Sequence, residues 1–148
     1  MNTASALEIA IADDDADDRM MVEDAFCEGR LANPRNYFED GEQLMNYLTA
    51  AAGTQGASLP ALILLDLNMP RMDGRAVLTR MKADDRLRRI PVVVLTTSKA
   101  EEDILRTYDL GVSSFITKPV SFAALVDIVQ TITHYWIEIV QLPTMQAA

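Results

Sequence analysis

The chain has 148 residues, of which 49% are hydrophobic and 24% are charged, and this composition suits one compact domain. Its net charge of −9 argues against binding to a nucleic-acid backbone or to an anionic membrane surface. The single cysteine, Cys27, excludes an internal disulfide and fits a reducing compartment. The sequence shows no secretory signal pattern and no apolar stretch of about 18 residues, so we expect a cytoplasmic protein.

Short apolar runs alternate with amphipathic segments five times along the chain, which predicts five strands, each followed by a helix. Runs such as LILL and VVVL are almost wholly apolar, as is typical of strands buried on both faces. We therefore predict a doubly wound α/β fold with a parallel sheet covered by helices on both sides. The predicted strands are 7–12, 36–38, 61–66, 91–96 and 113–117, and the predicted helices are 17–31, 42–52, 73–81, 100–110 and one that begins at Ser121.

Polar residues stand at the carboxyl ends of four of the five predicted strands. In open parallel α/β sheets, ligands bind beyond the carboxyl ends of the strands, so we expect these residues to share one edge of the molecule. The first strand ends in Asp13, Asp14 and Asp15, the third in Asp66, the fourth in Thr96, and the fifth in Thr117 and Lys118, with Pro119 next.

Three of these acids indicate a phosphoryl-transfer site. Asp13, Asp14 and Asp66 would repel one another if brought together without a counter-ion. A divalent cation removes this repulsion, and Mg²⁺ prefers hard oxygen ligands of this kind. Lys118 can place a positive charge on a phosphoryl oxygen, and Asp66 is then the nucleophile, since a carboxylate can form a mixed anhydride with phosphate.

Each signal also has a plain structural interpretation. An acidic run after a strand is usually a solvated turn or the N-terminus of a helix, where the helix dipole favours it. A Lys-Pro pair can simply end a strand, and Thr96 can be an ordinary β-branched strand residue. The order of all four signals at strand ends favours the site over these separate explanations.

Three segments of the chain resemble the receiver domain of two-component response regulators. DLNMPRMDG at 66–74 is similar to the phosphoacceptor loop of that family, VVVLTTS at 92–98 to its switch strand, and FITKP at 115–119 to its lysine motif. The resemblance extends over about 7–130, and we expect a receiver domain at 5–130 with a helical extension and tail at 131–148. It implies a flavodoxin-like strand order, 2-1-3-4-5, and a stand-alone regulator phosphorylated on Asp66 by a sensor histidine kinase.

The resemblance also implies a role for individual residues. Asp14 and Asp66 would bind Mg²⁺ through their side chains and Asn68 through its backbone carbonyl, with Asp13 as a supporting acid. Thr96 would turn toward the phosphoryl group and Phe115 would move into the space that Thr96 leaves, which makes a two-state switch read at the output face. A cis peptide between Lys118 and Pro119 is implied as well.

Within the family, three features are most similar to the regulators paired with bacterial and cyanobacterial phytochromes. They are the insertion near GTQGAS at 53–58, the segment LTTSKAEEDILRTYDLG at 95–111, and the ending YWIEIVQLP at 135–143. This implies that the partner kinase is a bacteriophytochrome, although nothing in the chain is expected to bind a chromophore.

The last predicted helix is longer than a sheet-covering helix needs to be, since it can run from Ser121 to Leu142 before Pro143 stops it. Its end is apolar on several sides, as is typical of an interface. We therefore predict a homodimer formed through this arm. The alternative is an amphipathic helix that folds back on its own domain. The predicted interface residues are Tyr135, Trp136, Ile139, Val140 and Leu142.

Two other classes of function compete with a signalling receiver. One is a magnesium-dependent phosphohydrolase with an aspartyl nucleophile, which usually needs a second acid near the nucleophile and a capping insertion. Asp66 is instead followed by Leu67 and Asn68, and no long insertion is present, so we do not expect an enzyme. The other is a receiver-like interaction module that is never phosphorylated.

Overall fold

The computed structural model describes residues 7–96 and 114–139, and these form a five-stranded parallel sheet with helices on both faces. The strand order β2-β1-β3-β4-β5 confirms the predicted fold. The strands are β1 (Ile9–Ala12), β2 (Arg35–Phe38), β3 (Leu62–Leu65), β4 (Val92–Thr96) and β5 (Ser114–Thr117). The α-helices are α1 (Ala16–Glu28), α2 (Gly41–Ala52), α3 (Gly74–Lys82) and α4 (Phe122–Thr133).

The two faces of the sheet bury separate apolar cores because side chains alternate along each strand. On one face Ala10, Ile63 and Val94 pack against α2 and α3, and we call this the α2–α3 core. On the other face Ile11, Leu64 and Val93 pack against α1 and α4, which is the α1–α4 core. Burial on both faces explains why β1 and β3 contain only apolar residues.

Each described helix begins at a polar residue that accepts hydrogen bonds from the first turn. Asp15, Asp40, Asp73 and Ser121 cap α1, α2, α3 and α4 respectively. Such caps typically contribute about 1 kcal/mol each, since they satisfy backbone N–H groups that have no partner within the helix. The caps also position the strand-to-helix loops that carry the polar residues predicted from the sequence.

The C-terminal helix changes geometry where the sequence predicts one continuous α-helix. Its α-helical part ends at Thr133, and a π-helical segment follows at His134–Ile139. Ile137 in this segment is buried in the α1–α4 core. The predicted helix at 100–110 and the tail from 140 onward lie outside the described residues.

Candidate functional site

Asp13, Asp14 and Asp66 come together at the carboxyl edge of the sheet. Each offers a carboxylate oxygen, and these oxygens lie within 4.8 Å of one another. Asp13 and Asp66 are buried, whereas Asp14 is exposed. We call these residues the acid trio. Three hard oxygen donors at this separation, one of them facing solvent, fit a divalent cation such as Mg²⁺.

The register between β1 and β3 explains why two of these acids meet. Ala12 pairs with Leu65 in the parallel ladder, and the next residues along the two strands are Asp13 and Asp66. The backbone N–H of Asp66 donates to the carbonyl of Ala12 at 3.0 Å, which extends the pairing to the site. Asp14 follows directly in the loop before α1.

Lys118 reaches the acid trio from the end of β5. Its Nζ lies 2.6 Å from Asp13 Oδ2 and 3.3 Å from Asp66 Oδ2. Asp18, which lies in the first turn of α1 and outside the acid trio, is 2.9 Å from the same amine. The lysine side chain is only 13% exposed, and its ion pairs with buried Asp13 and Asp66 are therefore shielded from water.

Burial and hydrogen bonding shift the pKa values of Lys118 and Asp13. Burial opposes the charged form of Lys118, but hydrogen bonds to Asp13 and Asp18 outweigh it and raise the pKa of the amine. Burial also raises the pKa of Asp13, although the hydrogen bond from Lys118 and the N–H of Asp15 oppose that shift. The lysine is therefore cationic at neutral pH and available as a fixed positive charge beside Asp66.

The loop that follows Asp66 is held by several local contacts. The N–H of Asn68 donates to Asp66 Oδ1 at 3.1 Å, and the N–H of Gly74 donates to the carbonyl of Leu67 at 2.9 Å. Farther along, Arg71 adopts a positive φ of 62° and its Nε donates to buried Asp40 at 2.7 Å. The loop is thereby tied to the cap of α2. That Asn68 ligates a metal through its carbonyl stays a prediction.

The predicted switch residues are only partly visible. Thr96 ends β4 opposite Thr117, but its side chain lies outside the described part of the structure. Phe115 is half-buried and packs against the α2–α3 core.

Among the described residues there is no cis peptide bond, so the predicted cis peptide between Lys118 and Pro119 is wrong. The trans form is the ordinary state even before proline, and Lys118 reaches Asp66 in it.

The predicted interface residues divide into different environments. Tyr135 is 49% exposed, whereas Trp136 is half-buried and packs against the α1–α4 core. Their rings meet edge to face with centroids 5.1 Å apart. The side chain of Ile139, and all of Val140 and Leu142, lie outside the described residues. Part of the arm thus covers its own domain, and Tyr135 remains toward solvent.

The sequence analysis missed two residues at the site. Asp18 stands four residues after Asp14 in an acidic run and lies in the first turn of the predicted helix at 17–31, where the helix dipole by itself favours an acid. Arg71 lies inside the DLNMPRMDG segment, but its pairing with Asp40 joins positions 31 residues apart. No local pattern distinguishes Asp18 from its acidic neighbours, and only the tertiary structure reveals its contact with Lys118 and the pair of Arg71 and Asp40.

Comparison with known proteins relates these features to a family. The family model for the response regulator receiver domain matches residues 9–130. None of the helices in 7–96 and 114–139 combines the length and the hydrophobicity that a membrane span requires.

The chain is similar to curated and solved proteins over most of its length. It is 39% identical over 129 residues to the probable methanogenesis regulatory protein FilR2 of Methanothrix harundinacea, covering 87% of this chain and 83% of FilR2. It is 37% identical over 135 residues to the response regulator Rcp1 of Synechocystis, covering 91% of this chain and 92% of Rcp1. The Mn²⁺-bound structure of Rcp1 matches with a TM-score of 0.81, covering 93% of this chain and 99% of that one.

A third relative is RcpA, a cyanobacterial phytochrome response regulator whose structure is known in the phosphorylated form. It matches with a TM-score of 0.85 and 39% identity, covering 94% of this chain and 99% of RcpA. The match of the family model, the strand order and the acid trio beside Lys118 all agree. The chain belongs to the response regulator receiver domain family.

Proposed function

We propose that this receiver accepts a phosphoryl group on Asp66 from a sensor histidine kinase. The observation that carries the proposal is the placement of the Lys118 amine 3.3 Å from Asp66 within the acid trio. Asp66 supplies a carboxylate nucleophile, and Lys118 supplies a cation that is already in place. Transfer of a phosphoryl group needs positioning and charge neutralisation more than acid–base chemistry, which is what these residues offer.

The transfer needs only two reacting groups, the phosphohistidine of the kinase and the carboxylate of Asp66. A carboxylate oxygen of Asp66 forms a bond to phosphorus while the P–N bond of the kinase phosphohistidine breaks, and the electron pair returns to the imidazole nitrogen. The Lys118 amine donates to a phosphoryl oxygen as its contact with Asp66 Oδ2 is replaced. Thr96 and Phe115 then form the switch in our proposal, so that a change at Asp66 alters the output face near β4 and β5.

We also propose Mg²⁺ as the metal, held by Asp14, Asp66 and the backbone carbonyl of Asn68, with Asp13 in support. When bound, the divalent cation offsets negative charge on the phosphoryl group. The three carboxylates of the acid trio support this assignment because they are hard donors within one ion's reach. The structure of Rcp1 with Mn²⁺ gives a related case.

Intact-mass measurement after incubation with Mg²⁺ and acetyl phosphate tests the proposal. We expect one phosphoryl adduct in the wild-type protein and in Asp17→Asn, and none in Asp66→Asn. Asp17 is an exposed acid of the same edge and serves as the matched control. Hydrolysis of many equivalents without an adduct would favour a phosphohydrolase, and absence of both would favour an interaction module.

The kinase in this proposal is a bacteriophytochrome, since RcpA is described as a phytochrome response regulator and Rcp1 is similar over nearly its whole length. The similarity to FilR2, which is named for methanogenesis, makes a direct comparison of kinases necessary. Phosphotransfer to this chain should be faster from a bacteriophytochrome kinase than from a kinase without a photosensory domain. Equal rates would remove the phytochrome link and leave the receiver function intact.

We propose further that the receiver domain at 5–130 dimerises through the extension at 131–148. The exposed ring of Tyr135 supports a contact with a second copy, while the burial of Ile137 shows that the segment also serves its own core. For this reason a point substitution is cleaner than a truncation. Tyr135→Asp should lower the molar mass in solution from dimer to monomer, whereas Thr79→Asp, at an exposed site on α3 outside the extension, should not. If both variants remain dimeric, the extension at 131–148 does not form the dimer interface.

A further inference from the structure

The amine of Lys118 has three carboxylate partners, and Asp18 is the one that the sequence-based site does not include. Asp18 Oδ2 lies 2.9 Å from Nζ, which is closer than Asp66 Oδ2 at 3.3 Å. Asp13 Oδ2 is at 2.6 Å. A protonated amine has three N–H groups, so these three acceptors satisfy all of them.

Asp18 differs from the other two partners because it stands outside the acid trio. The described residues whose ligand oxygens lie within 4.8 Å of one another are Asp13, Asp14 and Asp66, without Asp18. Asp13 and Asp66 therefore divide their oxygens between a cation and the lysine, whereas Asp18 can serve the lysine alone. Its backbone is also fixed, since the N–H of Asp18 donates to the α1 cap Asp15 at 3.1 Å.

We propose that Asp18 is a positioning residue that holds the Lys118 amine in place for the phosphoryl group on Asp66, an inference that rests on the proposed function. Lysine carries its charge on a flexible four-carbon stem, and each restrained N–H narrows the directions open to the others. With Asp13 and Asp18 holding two N–H groups, the third points at Asp66 and so at an incoming phosphoryl oxygen. A charge already in place stabilises the transition state without a further rearrangement.

Loss of the Asp18 charge has two effects of opposite sign on the rate. Removing the anchor leaves Lys118 less well oriented, which slows transfer. Removing a negative charge near the site reduces repulsion of an anionic phosphoryl donor, which speeds transfer. A control that removes the same charge without touching Lys118 separates these effects. Asp17 provides it, because it is an exposed acid in the same first turn of α1.

The experiment compares the rate of adduct formation from acetyl phosphate in Asp18→Asn, Asp17→Asn and Asp18→Glu with Mg²⁺ at saturation. In this reaction an Asp66 oxygen bonds to phosphorus, and acetate leaves with the electron pair of the broken P–O bond. We expect Asp18→Asn to react about tenfold more slowly than Asp17→Asn. Asp18→Glu should recover most of the rate because it restores a carboxylate at a site that is 36% exposed and has room for one methylene.

The affinity for Mg²⁺ is measured as well as the rate, because weaker metal binding would also slow adduct formation. Calorimetric titration with Mg²⁺ should give the same dissociation constant for Asp18→Asn and Asp17→Asn, since Asp18 is outside the acid trio. Weaker Mg²⁺ binding in Asp18→Asn alone would overturn the proposal, as would a rate equal to or above that of Asp17→Asn. If Asp18→Asn melts well below wild type, Asp18→Ser takes its place in the same comparison. No adduct in the wild-type protein would instead overturn the proposed function.

Discussion

Gly74 lies so close to Asp66 that a Cβ on it would be 2.5 Å from the Asp66 carbonyl oxygen. The same Cβ would be 2.8 Å from the Cα of Leu67, so both close contacts are with backbone that cannot rotate away. Gly74 is the first residue of α3, and its N–H donates to the carbonyl of Leu67 at 2.9 Å. The helix therefore packs directly against the residue proposed to carry the phosphoryl group.

Gly74→Ala should destabilise the protein and displace Asp66. We expect a loss of about 2 kcal/mol in the free energy of unfolding, as for other overpacked sites, together with slower adduct formation. Gly53→Ala is the control because its Cβ would meet nothing closer than 3.4 Å. Urea denaturation and intact mass measure the two effects. Equal stability of the two variants would show that α3 can shift away from Asp66 at little cost.

Arg71 should stabilise the loop after Asp66 through its ion pair with Asp40, which is 1% exposed. Arg71→Ala removes the ion pair and keeps a side chain at a positive φ of 62°. Arg71→Gly also removes the pair, but glycine adopts this φ without strain. We therefore expect stability to fall in the order wild type, Arg71→Gly, Arg71→Ala, as measured by urea denaturation. If Arg71→Gly is the least stable, the strain at this position is negligible.

Glu23 should make a pH-dependent contribution to stability. Hydrogen bonds from Arg35, helped by one from Tyr37, lower its pKa to about 2 from an ordinary 4.5. The lowered pKa means that the stabilisation is fully present above about pH 4.5 and is lost as the pH falls toward 2. Because Glu23 is 39% exposed, solvent screening limits the effect at pH 7 to about 1 kcal/mol.

Thermal unfolding of Glu23→Gln at pH 7 and at pH 2.5 tests the pH-dependent contribution of Glu23 to stability. The variant should be less stable than wild type at pH 7, and the difference should shrink at the lower pH. Asp24→Asn removes the next acid of α1, which is exposed, and should show no such convergence. A constant difference between wild type and Glu23→Gln at both pH values would mean that Glu23 acts through packing and not through its charge.

Asp14 should control metal affinity more than it controls folding, because it is exposed and belongs to the acid trio. Asp14→Asn should bind Mg²⁺ about tenfold more weakly by calorimetry, with a melting temperature close to wild type. Chelation of the metal should stop adduct formation in the wild-type protein. Unchanged Mg²⁺ binding in Asp14→Asn would place the cation elsewhere among the acids.

Much of the fold follows from local patterns. Apolar runs such as LILL predict buried parallel strands because both faces of such strands are covered, and the structure has β3 at Leu62–Leu65. The bounds of the described elements differ from the predicted ones by at most three residues, and several coincide, except at the last helix. There the change to π-helical geometry after Thr133 accompanies the burial of Ile137, and nothing in the periodicity of the sequence marks it.

The sequence by itself determined the order of strands and helices along the chain and the presence of acids at the strand ends. Both depend on periodicity and on residues that are close along the chain. Only the tertiary structure decided which acids share the Lys118 amine, since Asp18 and Lys118 are separated by 100 positions. The same is true of Arg71 with Asp40 and of the trans peptide before Pro119. Such contacts depend on how distant segments pack and where long side chains point, and local propensity does not specify either one.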